Sequence, residues 1–540
     1  MFIVKTSARL FAGDGEEEHS MAEDDTEQEG AADVVKELET WQKEHPNADW
    51  VEIERAIEDQ LDRLRRQVWE RLAAVVESQV EKRACPVCGG RREAHGQKER
   101  TLTLPGDEQL RLRRQYMVCG ACGVGGFPLD EALGLLPGGL SPSLQEVLVR
   151  LATRLPFAEA AQEVALLFHV AVSDSTACRL TEQAGLTSLA NEAAEVERLQ
   201  REQPEPPRGP AIQQVSADGA MVPLVHGQWA EVKTVAIGTV VNKPGKDGTA
   251  VARATNISYF SRMTDHETFS RSSLAELHRR GTETAGVVVA VMDGSEWLQK
   301  FIDVQRPDAV RILDFPHAIE HLATAAQAAF GPGSAGATAW LSQQASMLCH
   351  GDPDLVLSAL RELPGVAVNA AAAQAASDGT LGYLTKRRAQ IAYARFQAKG
   401  YPIGSGMVES ANKLVVEARL KGSGMHWAGA HVDPMLSLRT SLCNGSWDDT
   451  WPQIGAARRA EIRARAQRRR RTRHEAPQPV AAAIATPEPP SPPTPMSPQP
   501  RRRSVPKIVN GRPTADHPWR RPLNPHHGPL QFQSPISAKM

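Results

Sequence analysis

Ile53, Ile57, Leu61, Leu64, Val68, Leu72 and Val75 recur at steps of three and four, with charged residues on the faces between them. That spacing predicts a packing helix from about residue 48 to 83, inside a helical segment 35–83. The pattern switches to alternation in LRLRRQYMV, residues 110–118, after the turn signal Pro105-Gly106-Asp107. A β-hairpin is expected there. Helical spacing returns in SPSLQEVLVRLATRL, FAEAAQEVALLF and SDSTACRLTEQAG, which read as three short helices. Ser173 is the N-cap of the third and Gly185 its stop. A linker rich in proline and charge, REQPEPPRGP, follows. Three strand-like runs come next, IQQVSADGAMV, AEVKTVAIGTVV and TNISYFSRM. Then a helix (FSRSSLAELHRRG), a buried-type strand (GVVVAVMDG), a helix (EWLQKFIDVQ) and another strand (AVRILDF) alternate. From about 318 to 400 the chain is alanine-rich and helical, and at 401 the glycine-punctuated stretch YPIGSGMVESANKLVVEARLKGSGMHW begins.

So many elements in 540 residues imply more than one domain. The strand and helix order from 212 on, β-β-β-α-β-α-β, is that of an RNase H-like mixed sheet. The 41% of hydrophobic residues suffices for ordinary cores. The net charge of −2 conceals a strong asymmetry. Acids crowd residues 14–39, and the stretch 1–34 has too little apolar surface to bury, so it is expected to be disordered. Nine arginines fall between 458 and 473, a run suited either to phosphate backbones or simply to solvent. The segment 450–540 reads as a basic and then proline-rich disordered tail. No run approaches the ~18 apolar residues that span a bilayer, and the N-terminus lacks the apolar stretch of a signal peptide. A membrane role is therefore not expected.

Seven cysteines, an odd number, favour metal ligation over a disulfide framework. Cys85-x-x-Cys88 and Cys119-x-x-Cys122 flank the expected hairpin. Two residues between thiolates let both reach one tetrahedral ion, and four thiolates leave no open position. A structural Zn²⁺ in a zinc ribbon over 84–135 is expected. The three helices that follow suit a helix-turn-helix at 140–190.

Candidate carboxylates lie further on. Asp218 in VSADGAM is expected at a strand tip, although Asp-Gly is also a common turn pair. Asp293 repeats the arrangement at the end of VVVAVMDG. Two such acids on neighbouring strands suit Mg²⁺, which prefers carboxylate oxygens. Glu409 in IGSGMVESANK sits in a helical first turn, where a carboxylate also serves simply to balance the helix dipole. Asp314 and His317, three apart, share a helix face, and Asp314 competes with Asp293 for the second acidic position.

Taken in order, VSADGA, VMDGSEW, ILDFPHAIEHL, IGSGMVES and RLKGSGMHW resemble the bacterial DDE-type insertion-sequence transposases of the ISKra and ISLre groups and, more distantly, Mutator-like transposases. The resemblance runs from about Cys85 to about Gly445. It implies a multidomain α/β chain. An RNase H-like catalytic domain at 208–445 would carry a helical insertion at 318–400, behind the zinc ribbon and the helix-turn-helix. It implies Asp218 and Glu409 as first and last acids, holding Mg²⁺ (or Mn²⁺). In that fold the first and fourth strands are neighbours, which favours Asp293 as the second acid and leaves Asp314 and His317 accessory. The implied chemistry is cleavage and strand transfer at transposon ends by two-metal phosphoryl transfer. Lys413, Arg419 and Lys421 would contact the DNA backbone, and Trp427 would stack on a base or, more simply, be buried. Double-stranded DNA, both transposon ends and target, is the implied partner. A homo-oligomer on DNA and a cytoplasmic, nucleoid-associated location go with it. Two other readings stay open: a non-catalytic zinc-ribbon and helix-turn-helix regulator, and an RNase H-like nuclease.

Overall fold

Asp49 and Glu52 start a long N-terminal helix by capping each other. Glu52 N donates to Asp49 Oδ1 and Asp49 N to Glu52 Oε2, both at 2.9 Å, which satisfies two amides that a helix start leaves orphaned. The computed structural model describes residues 24–80, 83–245, 250–475, 508–509 and 512–513. Helix α1 covers Asp24–Glu44 and α2 covers Trp50–Gln79. The helix expected over 48–83 is thus the second of a pair, and the stretch expected to be disordered to residue 34 is helical from Asp24. Residues 1–23 lie outside the described residues. Ile57, Leu61, Val68, Leu72 and Val75 of α2 are exposed rather than packed. Only Asp62 and Ala73 of that helix are buried, against the hairpin.

The hairpin pairs β1 (Arg92–Thr103) with β2 (Gln109–Cys119), with a register shift between Ala94 and Gln97, and β3 (Gly125–Gly126) adds to β2. Short α3 (Pro128–Ala132) closes this region. Next come α4 (Pro142–Ala152), α5 (Phe157–Phe168) and α6 (Asp174–Glu202). Ser173 caps α6 by accepting from Thr176 N, as expected, but α6 runs straight through Gly185. A Cβ at 185 would sit 2.4 Å from the Pro434 carbonyl oxygen. Glycine is there for close helix approach, not as a stop.

The larger sheet is built from β4 (Ile212–Pro223), β5 (Trp229–Pro244) and β6 (Ala250–Arg262). Short α7 (His266–Ser272) and α8 (Leu274–Arg279) precede β7 (Val287–Met292), α9 (Glu296–Gln305) and β8 (Val310–Leu313). The spatial order is β6-β5-β4-β7-β8, with β4–β5 and β5–β6 antiparallel and β4–β7 and β7–β8 parallel. A helical block follows: α10 (Phe315–Phe330), α11 (Ala335–His350), α12 (Pro353–Val366), α13 (Ala370–Lys386) and α14 (Tyr393–Ala398). Helix α15 (Gly406–Ala411) widens into a π-turn over Asn412–Glu417, then α16 (Ala418–Leu420), α17 (Gly429–Cys443) and α18 (Trp447–Glu475) end this unit. In the second unit, 476–540, Ile508–Val509 pairs antiparallel with Arg512–Pro513.

Alternation along the strands sets what each sheet face carries. Val215, Ala217, Val235, Ile237, Val288, Ala290 and Met292 face α7, α8 and α9 through Phe269, Leu277, Leu298 and Phe301. On the opposite face Val289 and Val291 meet the helical block, Ala236 meets α15, and Ala220, Val222 and Val232 meet the π-turn and α17. Trp427 is buried in this last cluster. A separate core joins Leu144, Leu148, Val164 and Leu180 to Leu438, Trp447, Trp451 and Ile454. The region 140–190 therefore shares its core with the C-terminal helices. The tail expected from 450 begins instead as α18, because Trp447, Trp451 and Ile454 lie on one face of it and fill that core. No helix among the described residues is long and apolar enough to cross a membrane.

Candidate functional site

The hairpin brings the two cysteine pairs together. Cys85 Sγ lies 3.6 Å from Cys122 Sγ, and Cys88 Sγ 3.6 Å from Cys119 Sγ. All four sulfurs fall within 4.8 Å of one another. Tetrahedral ligands at about 2.3 Å from one zinc would stand roughly 3.8 Å apart, so the cluster has the size for a structural metal such as zinc. Its electrostatics fit as well. The Cys122 N–H pulls the Cys119 thiol down to about 6. The Val124 N–H favours the Cys122 thiolate, yet burial and the three neighbouring sulfurs push that group up to about 12. Four thiols this close ionise together only when a cation neutralises them.

The candidate acids lie on the face of the larger sheet that α15 covers. The β4–β7 ladder ends at Val215 and Ala290, three residues short of Asp218 and Asp293 respectively. Equal spacing from one parallel register puts both aspartates on the same face. Asp293 follows β7 directly, as expected. Asp218 does not end its strand: β4 continues, paired with β5, to Pro223 opposite Trp229. What ends is the parallel pairing with β7, three residues before Asp218. Glu409 is exposed on the first turn of α15. Burial raises the Asp218 carboxyl above the ordinary range, and the charges of Asp293 and Glu409 raise it further. The Gly219 N–H and the Asn412 side chain act in the opposite sense. Among the described residues only the four cysteines bring three or more ligand atoms within 4.8 Å of one another. The three carboxylates do not gather that closely. The donor set is all oxygen, which fits a hard cation such as Mg²⁺ or Mn²⁺.

Asp314 plays a different part from Asp293. It is 4% exposed, and both its oxygens are taken. Oδ2 accepts from His317 N at 3.2 Å, capping α10, and Oδ1 accepts from Ser405 N at 2.6 Å. Gln214 Nε2 holds the adjacent Gly404 carbonyl at 3.0 Å, and Phe315 N holds that of Ile403 at 3.0 Å. Asp314 thus pins the loop that leads into Glu409. No protein-family model matches this chain, and no curated protein matches it. His317 packs edge-on against His321 and Tyr383, and His321 stacks on Tyr383 at 3.9 Å. Burial, with His317 and Arg387 nearby, lowers the His321 pKa.

The expected DNA contacts divide. Lys413 is exposed, and Lys421 pairs with Glu417 at 2.7 Å. Arg419 cannot reach a DNA backbone. It is 2% exposed, its guanidinium lies over Phe157 and Trp427 at 4.9 and 5.0 Å, and Nε donates to the Ala152 carbonyl at 3.0 Å. Two of the tail arginines are likewise engaged, Arg458 with Gln183 at 3.0 Å and Arg459 with the Gly134 carbonyl at 3.2 Å.

Sequence reasoning missed three residues at the acids. Tyr383 OH donates to the Asp293 carbonyl, and Arg387 Nη2 donates to that of Gly294 at 2.6 Å. Gly294 has φ +82°, and a Cβ there would meet Arg387 Nε at 2.4 Å. The turn behind Asp293 is therefore gripped by Tyr383 of α13 and by Arg387, the residue that follows that helix. The i, i+4 spacing of Tyr383 and Arg387 was visible, but their target was not. Asn412 Nδ2 donates to Asp218 Oδ2 at 2.9 Å. Its place three residues after Glu409 was the available signal.

Proposed function

We propose that this chain is a DNA transposase that cuts transposon ends and joins them to target DNA, with Asp218, Asp293 and Glu409 as its acids. The observation that carries the reading is their convergence: two aspartates equally far past the last pair of the β4–β7 ladder, and a glutamate near enough to raise the Asp218 carboxyl. The sheet order supports an RNase H-like core, because the first of its five strands lies between the second and the fourth. The helical block between β8 and α15 supports the insertion that the resemblance implies. The cysteine cluster on a hairpin supports a zinc ribbon, and α4 to α6 support a helix-turn-helix reading of DNA ends.

Divalent cations held by the three acids would activate the attacking oxygen and stabilise the leaving one. The chain's own part is to hold those acids in place. Asn412 fixes Asp218, Tyr383 and Arg387 fix the turn at Asp293, and Asp314 fixes the loop before Glu409. Lys413, exposed beyond Glu409, would contact a phosphate. Water would first attack the phosphodiester at the transposon end and displace a 3′-hydroxyl, and that 3′-hydroxyl would then attack a phosphodiester of the target and displace the target strand's own 3′-oxygen, which leaves as a hydroxyl.

The test is full-length protein with Mg²⁺ and two DNA substrates: uncut ends, and a pre-cut donor bearing a 3′-hydroxyl. Both cleavage and joining are expected, and both should vanish in Asp218→Asn. Cleavage without joining would make the protein a nuclease, and end binding without either would make it a regulator.

A further inference from the structure

Asn412 carries an unspent group at the acid cluster. The residue is 6% exposed, and its Oδ1 is buried with no hydrogen-bond partner. The orientation of the amide follows from its neighbour. Asp218 Oδ2, 2.9 Å from Nδ2, accepts, so the NH₂ faces it and the carbonyl oxygen beside that NH₂ is the atom left without a partner. A buried acceptor left unmade costs free energy and calls for an explanation.

Local backbone geometry reinforces the point. The π-turn begins at Asn412 and runs to Glu417, and such widened turns gather at functional sites. Here the widening is held from outside. Arg439, itself buried, donates through Nε to the Val415 carbonyl at 3.2 Å and through Nη2 to that of Leu414, while Nη1 reaches the Thr153 carbonyl at 3.3 Å. A guanidinium spent on carbonyls that a regular helix would satisfy itself maintains this turn. The turn in turn keeps Asn412 against Asp218.

We propose that Asn412 is a fourth member of the cation site, its NH₂ fixing Asp218 and its carbonyl oxygen serving as a neutral ligand to the ion that Asp218 holds. This rests on the reading of Asp218, Asp293 and Glu409 as cation ligands. A neutral oxygen beside three carboxylates adds coordination without adding to their repulsion, and hard divalent cations accept amide oxygen.

The test is calorimetric titration of Mn²⁺ into zinc-loaded full-length protein, without DNA. Wild type should bind Mn²⁺, and Asp218→Asn should abolish that binding. Asn412→Ala should weaken it by about tenfold or more, the usual cost of losing a ligand's support. Asn412→Asp, which restores an oxygen but not the NH₂, should bind more tightly than Asn412→Ala by about that factor. Unchanged affinity in Asn412→Ala, with Asp218→Asn still inactive in binding, overturns this proposal alone. Equal weakening in Asn412→Asp and Asn412→Ala also overturns it, since the oxygen then contributes nothing. Absence of any Mn²⁺ binding that depends on Asp218 overturns the acid-site reading and this proposal with it.

Discussion

Replacing Asp314 by asparagine separates architecture from chemistry. The carboxylate is buried and serves two backbone amides, His317 N at 3.2 Å and Ser405 N at 2.6 Å. Asparagine keeps the shape but offers one carbonyl oxygen, so one amide then faces an NH₂. The loss is one charge-assisted hydrogen bond, roughly 1.5–3 kcal/mol, plus part of the penalty for a buried unmade donor, roughly 1–3 kcal/mol. Allowing for relaxation, Asp314→Asn should lose about 2–4 kcal/mol. Asp293→Asn should behave oppositely. Asp293 is half-buried, and among the described residues its carboxylate accepts only from Ser295 N at 2.8 Å, a bond that an amide oxygen keeps. Its stability should change by less than about 1 kcal/mol, while Mg²⁺-dependent cleavage falls by at least about a hundredfold. Urea unfolding and end cleavage, measured on the same preparations below the unfolding transition, give both quantities. An Asp314→Asn variant as stable as wild type but unable to cleave, beside an Asp293→Asn variant that cleaves, would show that the second acid has been misassigned.

Purified protein should hold about one zinc per chain, and Cys88→Ser or Cys119→Ser should lose it; full metal content in either variant refutes the four-thiolate site. Arg419→Ala should destabilise by about 2–4 kcal/mol through lost ring contacts and hydrogen bonds, and Arg419→Met by less, with DNA affinity of the folded Met variant unchanged. A salt-dependent loss of DNA binding in Arg419→Met would return that residue to the DNA surface. In the metal-free protein the raised Asp218 carboxyl binds its proton more tightly folded than unfolded. Its contribution to stability is therefore full below about pH 4 and is lost as pH rises through the raised value. Asp218→Asn should thus gain on wild type towards neutral pH and match it in acid, and unfolding curves that differ equally at both pH values contradict this. Ending the chain at 475 should leave the first unit folded, whereas ending it at 450 removes Trp451 and Ile454 and should cost at least about 3–5 kcal/mol.

The pattern of the chain carried the hairpin, the strand order and the positions of the cysteines, because each depends on local alternation or fixed spacing. Asp293 was legible for the same reason: an apolar strand ends and the acid follows. Asp218 was misread as a strand tip because its surroundings are decided by β7, some seventy residues later, which leaves while β4 continues. Arg419 looked like a DNA contact because charge is visible in sequence and burial is not. Its neighbours Phe157 and Trp427 come from either side of the entire sheet in the chain order. The start of α18 was hidden by the arginines that follow it, which drown the i, i+4, i+7 apolar face of Trp447, Trp451 and Ile454.

Those misreadings have one physical source, and it bears on mechanism. The region read as a separate end-binding domain is sewn to the acid cluster by buried groups that cross between them. Arg439 donates to the Thr153 carbonyl after α4 and to carbonyls of the π-turn beside Asn412. Arg419 joins the Ala152 carbonyl to Trp427, and Leu438 lies in the core that α4, α5 and α6 build. A displacement of α4 on binding DNA would therefore be felt at the turn that holds Asn412 against Asp218, because packed interiors transmit strain. On the proposed function this is a short path by which recognition of an end could set the geometry of the acids. It runs through neutral carbonyls rather than through charge pairs, so its strength should depend little on salt, unlike the binding of the DNA itself.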